Sequence, residues 1–200
     1  LGKKNLDDLI GNFYCFYPQI YKGRFNAIKI PQINQSEIED VLIKAFDVDI
    51  EKNKIKEKFV MFTSVFDFEG GDPIGEFEIV KKVADTIGVD NLAVKIHPRD
   101  TRTVYADNGI HVAEASSIPW EALQIACGYE DKILLTVTSS SVFSINMMLK
   151  NPIKSYMLFD ECKLDGNPVA QKSVKQICKL LEIPELKGTL SYLHRLSNAE

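Results

Sequence analysis

The chain has 200 residues, 45% of them hydrophobic and 26% charged, and this composition excludes a disordered protein. Its net charge of -4 at pH 7 gives no general attraction to nucleic acid or to an anionic membrane surface. The longest apolar runs are the size of strands, and none approaches the roughly 20 residues that a transmembrane helix needs. An anionic ligand must therefore be bound by a local site.

Residues 1–58 differ in character from the rest of the chain. They contain an aromatic segment at 12–25, a predicted strand at 26–30, a predicted helix at 36–46 and a lysine-rich run at 49–58 with the composition of a linker. We interpret this region as a connector that packs against the main domain or as the remnant of an N-terminal domain. The chain does not begin with methionine and shows no signal peptide, so we expect a piece of a longer cytoplasmic protein.

From residue 59 onward, predicted strands alternate with predicted helices. Residues 58–66 are typical of a buried strand, and apolar residues recur at helical spacing through 73–88. Further strands are predicted at 91–97, 109–115, 132–138 and 153–160, and further helices at 119–129, 140–151 and 167–182. This alternation predicts a Rossmann-like α/β domain over residues 59–200, with a parallel sheet covered by helices on both faces.

Ligands of such sheets bind beyond the carboxyl ends of the strands, and one predicted strand ends at His97, Pro98 and Arg99. Pro98 keeps His97 extended, and Arg99 offers a forked donor suited to phosphate or to a salt bridge. A histidine can give a proton to a departing phosphate oxygen near neutral pH. The alternative is that His97 is only a hydrogen-bonded structural residue, which is common after a strand.

Three consecutive serines, Ser139, Ser140 and Ser141, lie between a predicted strand and a predicted helix. Free backbone N–H groups and hydroxyls at such a position favour a phosphate. The alternative is plain helix capping, for which one serine is enough. The sequence contains no GxxxxGK[ST] motif and no GxGxxG after the first strand, so a phosphate site here is of another type.

Glu121 lies just inside another predicted helix, after Pro119 and Trp120. A carboxylate at this position stabilises the helix and is in part explained by that alone. Its functional interpretation is that it accepts hydrogen bonds from the two hydroxyls of a ribose. We interpret Trp120 as a packing residue.

Four cysteines, Cys15, Cys127, Cys162 and Cys178, form no CxxC pair and have no nearby histidine. They are predicted to be buried structural thiols in a reducing compartment. The sequence predicts neither a metal site nor a cofactor.

The segments KIHPRD, SSIPWE and TSSSVFS follow one another in the alternating region. Together they resemble the bacterial sialyltransferases of glycosyltransferase family 52, the lipooligosaccharide sialyltransferase type. The resemblance covers roughly residues 59–160. It implies that the domain is the nucleotide-binding half of a GT-B fold.

The resemblance also implies a reaction, which is an inverting, metal-independent transfer from a CMP-sugar such as CMP-sialic acid to a glycan hydroxyl, without a covalent intermediate. His97 and Pro98 match the HP motif, whose histidine assists the departing CMP phosphate. The serine cluster at 139–141 matches the phosphate-binding serines, and Glu121 matches an acidic donor-binding residue. A homodimer and peripheral association of the full-length protein with the inner face of the cell membrane are open expectations.

The family has an acidic motif that supplies the general base, and in this chain the segment DFEGG offers Asp67 and Glu69 for that role. The two acids are separated by Phe68, and Asp72 lies close by, so the choice of base stays open. The alternative is a polar glycine turn after a strand.

A GT-B enzyme has two Rossmann-like domains, whereas the sequence shows only one complete alternating unit. The chain could therefore be an incomplete fragment that binds nucleotide without transferring sugar.

The resemblance leaves two other functions open. Another GT-B transferase or a sugar epimerase would use a UDP-sugar at the same type of site. A non-catalytic binding module would use the polar rim to hold a partner.

Overall fold

A computed structural model of the chain describes residues 11–64, 73–113, 118–158, 175–184 and 188–198. The strands are β1 (Asn12–Cys15), β2 (Asn26–Lys29), β3 (Phe59–Phe62), β4 (Leu92–Lys95), β5 (His111–Val112), β6 (Ile133–Thr136) and β7 (Ser155–Met157). The helices are α1 (Glu39–Phe46), α2 (Pro73–Ile87), α3 (Val104–Asp107), α4 (Trp120–Ala126), α5 (Ser141–Met148), α6 (175–180) and α7 (Thr189–Ser197).

Five of the strands form one parallel sheet in the order β5-β4-β3-β6-β7. Phe59 at the start of β3 is in register with Leu92 of β4 on one side and with Ile133 of β6 on the other. Every residue of these three strands is buried, which explains why their sequences are mostly apolar. The predicted parallel sheet is confirmed.

Helices cover both faces of this sheet. Successive residues of a strand point to opposite faces, so neighbouring residues pack against different helices. Val60 of β3 belongs to a core with Trp120 of α4, whereas the next residue, Met61, belongs to a second core with Val80 of α2 and Leu193 of α7. The predicted Rossmann-like α/β architecture is therefore confirmed.

The polar segment at 49–58, which was expected to be a linker, packs against this domain. Ile55 is buried, and its backbone N–H donates a hydrogen bond to the hydroxyl of Tyr129 at 2.8 Å. A carboxylate oxygen of Glu57 lies 2.6 Å from Nδ1 of His111 in β5. Whether residues 1–58 are a connector that packs against the main domain or the remnant of an N-terminal domain stays a prediction. The domain boundary at residue 58 stays a prediction.

The segment before α1 is tied to the end of α5. The Ile33 N–H donates to the Met148 carbonyl at 3.0 Å, and the Lys150 N–H donates to the Ile33 carbonyl at 3.1 Å. The Gln32 side-chain amide also donates to the Met147 carbonyl, at 3.1 Å. These bonds satisfy carbonyls that the last turn of a helix otherwise leaves without a partner.

Several elements differ from the sequence-based expectations. The strands are shorter than predicted, and no element was predicted at β1, α3 or α7. β1 pairs in parallel with β2 in a two-stranded sheet separate from the main one. Of the cysteines, Cys178 is buried as predicted, Cys15 and Cys127 are half-buried, and Cys162 lies outside the described residues. Among the helices described, none combines the length and the apolar character needed to cross a bilayer.

Candidate functional site

A cleft of about 220 Å³ lies at the carboxyl ends of the central strands. In the sheet, β4 and β5 lie to one side of β3, and β6 and β7, which follow later in the chain, lie to the other side. The strand order therefore reverses between β3 and β6. Open α/β sheets bind ligands at this point. The cleft is lined by Phe62, Thr63, Lys95, Ile96, His97, Pro98, Ile118, Pro119, Trp120, Glu121, Ser139 and Ser141.

The cleft brings together residues that are far apart in the sequence. His97, Pro98, Glu121, Ser139 and Ser141, five of the predicted site residues, line it. Its volume is below the range of about 300 to 1,000 Å³ that is typical of sites for complete drug-sized ligands. The described part of the cleft is therefore large enough for only a portion of such a ligand.

Backbone hydrogen bonds fix the position of His97. Its N–H donates to the Thr63 hydroxyl at 3.2 Å, and its carbonyl accepts the Asp100 N–H at 2.8 Å in a tight turn. The Arg99 N–H donates to the ring atom Nδ1 at 3.1 Å. Because Nδ1 is an acceptor, the neutral ring carries its proton on Nε2 and can donate a hydrogen bond from there.

The arginine that holds this turn is Arg102. Its side chain donates two hydrogen bonds to the carboxylate of Asp100, from Nε at 2.8 Å and from Nη2 at 2.6 Å. Burial alone would raise the pKa of Asp100, but the side-chain and backbone hydrogen bonds from Arg102 bring that pKa below its ordinary value. Arg99, which was predicted to bind the ligand, is exposed and does not line the cleft.

A second set of contacts joins the carboxyl ends of β3 and β6. The buried carboxylate of Glu76, in α2, accepts the backbone N–H of Ser64 at 2.6 Å. The hydroxyls of Ser64 and Thr138 lie 2.8 Å apart. These contacts hold the loop after β3 beside the loop that leads into the serines.

The serines begin helix α5, as predicted. The Ser139 N–H donates to the Thr136 hydroxyl at 2.8 Å, and the Ser141 N–H points to the Ser139 hydroxyl oxygen at 3.4 Å. Ser140 occupies the N-cap position and makes no side-chain capping bond in the described part of the chain. Ser139 and Ser141 line the cleft, whereas Ser140 is exposed and does not. The Ser139 hydroxyl thus accepts a backbone N–H at the start of the helix, and the phosphate site at these serines stays a prediction.

Glu121 lies in the first turn of α4 and lines the cleft. Its carboxylate oxygen Oε1 accepts a hydrogen bond from the hydroxyl of Ser144, one turn along α5 from the serine cluster. This bond fixes the carboxylate and joins the two helices that border the cleft. The neighbouring Trp120 packs edge-on against Phe62 with ring centres 4.9 Å apart, as its predicted packing role requires.

Lys95, the last residue of β4, lies in the cleft but was not predicted as a site residue. Lys95 is only 6% exposed, and it lines the cleft. Burial lowers the pKa of its ammonium to about 8, while the nearby carboxylate of Glu121 acts to raise it. A lysine in an otherwise apolar strand, two residues before the histidine, was the signal available in the sequence.

Asp67 and Glu69, predicted as candidates for the general base, lie outside the described residues, as does Asp72. Their role stays a prediction. Within the described ranges, no group of three or more histidine, cysteine, aspartate or glutamate side chains is arranged to hold a metal ion. Comparison of the chain with protein-family models, with curated proteins and with solved structures finds no significant match.

Proposed function

We propose that this chain is the donor-nucleotide-binding domain of a sialyltransferase-like glycosyltransferase. One observation carries the proposal: His97, Glu121 and the serines at 139 and 141 come from three separate segments and line one cleft at the reversal of the strand order. Each of these side chains suits a different part of a nucleotide. The sequence resemblance adds the choice of a CMP-sugar as donor and of a glycan hydroxyl as acceptor.

The phosphate of the donor would be bound at the start of α5. Ser139 and Ser141 supply hydroxyls there, and the N-terminal end of the helix carries about half a unit of positive partial charge. These donors are fixed before the ligand arrives, so they stabilise negative charge that grows on the phosphate as the sugar departs. Loss of one such donor typically costs about 2.7 to 4 kcal/mol in the transition state.

His97 would assist the same phosphate from the other side of the cleft. With Nδ1 occupied by the Arg99 N–H, the ring offers the Nε2 proton to a phosphate oxygen. This arrangement supports a hydrogen bond that strengthens as the phosphate becomes the leaving group. A carboxylate would take the proton of the acceptor hydroxyl, and the segment at 65–72 supplies the candidates for it.

The proposal is tested by calorimetric titration of the chain with CMP, UMP and cytidine. We expect CMP to bind more tightly than UMP and more tightly than cytidine, which has no phosphate. Tighter binding of UMP would favour a transferase or epimerase that uses a UDP-sugar. Failure of all three ligands to bind at millimolar concentration would refute the proposal and leave a non-catalytic binding module.

A further inference from the structure

Two buried threonines at the carboxyl ends of the central strands differ in how their hydroxyls are bonded. Thr136 ends β6, and Thr63 directly follows β3. Each hydroxyl accepts a backbone N–H from a residue that lines the cleft, Thr136 from Ser139 at 2.8 Å and Thr63 from His97 at 3.2 Å. The Thr136 hydroxyl also donates its own proton to the Phe62 carbonyl, at 3.1 Å. Among the described residues, the Thr63 hydroxyl donates to no acceptor.

The unused proton of Thr63 lies at the cleft. Thr63 is only 2% exposed, and it is one of the residues that line the cleft, whereas Thr136 is not. Buried polar groups in proteins are nearly always hydrogen-bonded, and a donor left without an acceptor costs free energy. The threonine without an acceptor is therefore the one that a ligand in the cleft can supply with one.

The surroundings of Thr63 indicate which kind of acceptor fits. His97 lies beside it in the lining of the cleft, and Ser139 and Ser141 line the same cleft at the N-terminal end of α5. Hydroxyls, a ring N–H and the positive end of a helix all favour an acceptor that carries negative charge. A phosphate has several such oxygens and can accept bonds from more than one of these donors.

We propose that Thr63 is a further phosphate-binding residue, whose hydroxyl keeps the His97 N–H as its donor and gives its own proton to an oxygen of the nucleotide phosphate. This inference rests on the proposed function, and it adds the central strand β3 to the segments that supply the phosphate site. The bond from the His97 N–H holds the hydroxyl oxygen in place before the ligand arrives. A hydroxyl that already accepts one hydrogen bond is also a stronger donor in the next one.

The same bond raises an alternative, in which Thr63 only holds the turn at His97 and never contacts the ligand. A residue that binds the phosphate affects CMP and leaves cytidine, which has no phosphate, unchanged. A residue that acts only through the His97 ring loses its effect once that ring has been removed. Two ligands and one double variant therefore separate the roles.

The experiment compares Thr63→Val, Thr63→Ser and the control Thr86→Val by calorimetric titration with CMP and with cytidine. Thr86 is a threonine of α2 that does not line the cleft. We expect Thr63→Val to weaken CMP binding about tenfold, as for the loss of one hydrogen bond to a charged acceptor, and to leave cytidine within about twofold. Thr63→Ser keeps the hydroxyl and should retain most of the CMP affinity, whereas Thr86→Val should change neither ligand.

His97→Asn provides the second readout. Because the proposed contact between Thr63 and the phosphate does not pass through the ring, adding Thr63→Val to His97→Asn should weaken CMP binding about tenfold again. Circular dichroism establishes that each variant is folded. If Thr63→Val itself does not fold, the same comparisons are made with Thr63→Ala.

Four results would overturn the inference. Unchanged CMP affinity in folded Thr63→Val would remove Thr63 from the phosphate site, while CMP binding by the unaltered chain would leave the proposed function intact. Equal losses of CMP and cytidine would assign Thr63 a structural role. No further loss in the double variant would show that Thr63 acts only through His97. No CMP binding by the unaltered chain would refute the proposed function, and this inference with it.

Discussion

The backbone N–H of Arg99 donates a hydrogen bond to Nδ1 of His97, two residues earlier in the chain, at 3.1 Å. The contact divides the ring into two functional ends. Nδ1 accepts this bond, and Nε2 is the end to which the proposed function assigns the donor phosphate. Two substitutions can remove these ends one at a time.

His97→Asn keeps an acceptor near the position of Nδ1 but loses the distant donor, whereas His97→Gln places an amide N–H closer to the position of Nε2. We expect His97→Asn to weaken CMP binding about tenfold and to leave cytidine binding unchanged. His97→Gln should retain more of the CMP affinity. In sugar transfer from a CMP-sugar, loss of the donor should reduce turnover by roughly 10²-fold or more. Equal effects of both variants on CMP and cytidine would return His97 to a structural role.

The three serines provide a matched comparison. Because Ser139 and Ser141 line the cleft and Ser140 does not, replacing the first two with alanine should weaken CMP binding at least about tenfold, or about 1.4 kcal/mol. Ser140→Ala should have little effect on that affinity. Its melting temperature should also change little, since Ser140 makes no side-chain capping bond in the described part of the chain. A larger loss of affinity in Ser140→Ala than in the double variant would contradict this assignment.

Arg102→Met should destabilise the fold, because Asp100 and the buried Glu76 both lie beside its guanidinium. Hydrogen bonds to charged groups contribute about 1.5 to 3 kcal/mol each, and we expect a loss of that order in urea unfolding at pH 7. Lys81→Met, which changes an exposed cation of α2, is the control.

The ion pair between Asp100 and Arg102 also predicts how the stability of the fold depends on pH. The pKa of Asp100 is lowered in the folded protein, so the pair stabilises the fold above the ordinary aspartate pKa of about 3.9. That contribution is lost as the pH falls through the lowered value. The stability gap between the unaltered chain and Arg102→Met should therefore shrink in acid. A gap of constant size down to pH 2 would exclude the ion pair as its cause.

The lowered pKa of Lys95 predicts an effect of pH on stability in the alkaline range. Its folded pKa of about 8 lies below the value of about 10.4 for an unfolded lysine. Between these two values the unfolded chain binds a proton that the folded chain does not, so the free energy of unfolding rises with pH. Relative to Lys95→Met, the unaltered chain should gain stability from pH 8 to pH 10, as measured by urea unfolding. No relative gain over this interval would show that Lys95 titrates normally.

The alternating pattern was sufficient to predict the part of the fold that builds the cleft. Periodicity located β3, β4 and β6, and the rule that ligands bind beyond strand ends selected His97 and the serines. These features are local in the sequence, and parallel strands bring their carboxyl ends to one edge whatever the order of the strands.

The remaining features depend on contacts that a linear pattern does not contain. Arg99 and Arg102 look equally suited to a ligand, and only the turn at His97 decides which of them meets Asp100. Lys95 is in register with Phe62, and Trp120 of α4 packs against Phe62, so the burial of the lysine depends on tertiary contacts. The pairing of β1 with β2 joins two short segments with weak apolar character. For α7 a signal was available, because Leu190, Leu193 and Leu196 recur at helical spacing and pack against the second core.

The bonds that Gln32 and Ile33 make to the last turn of α5 connect the N-terminal segment to the serines at the other end of that helix. The helix has eight residues and is about 12 Å long, so its two ends belong to one short cooperative unit. A nucleotide that binds only the folded form of α5 makes local unfolding of this helix less frequent. Every hydrogen bond that breaks together with the helix then opens less often as well. The Ile33 amide should therefore exchange its hydrogen more slowly when CMP is bound, although Ile33 does not line the cleft.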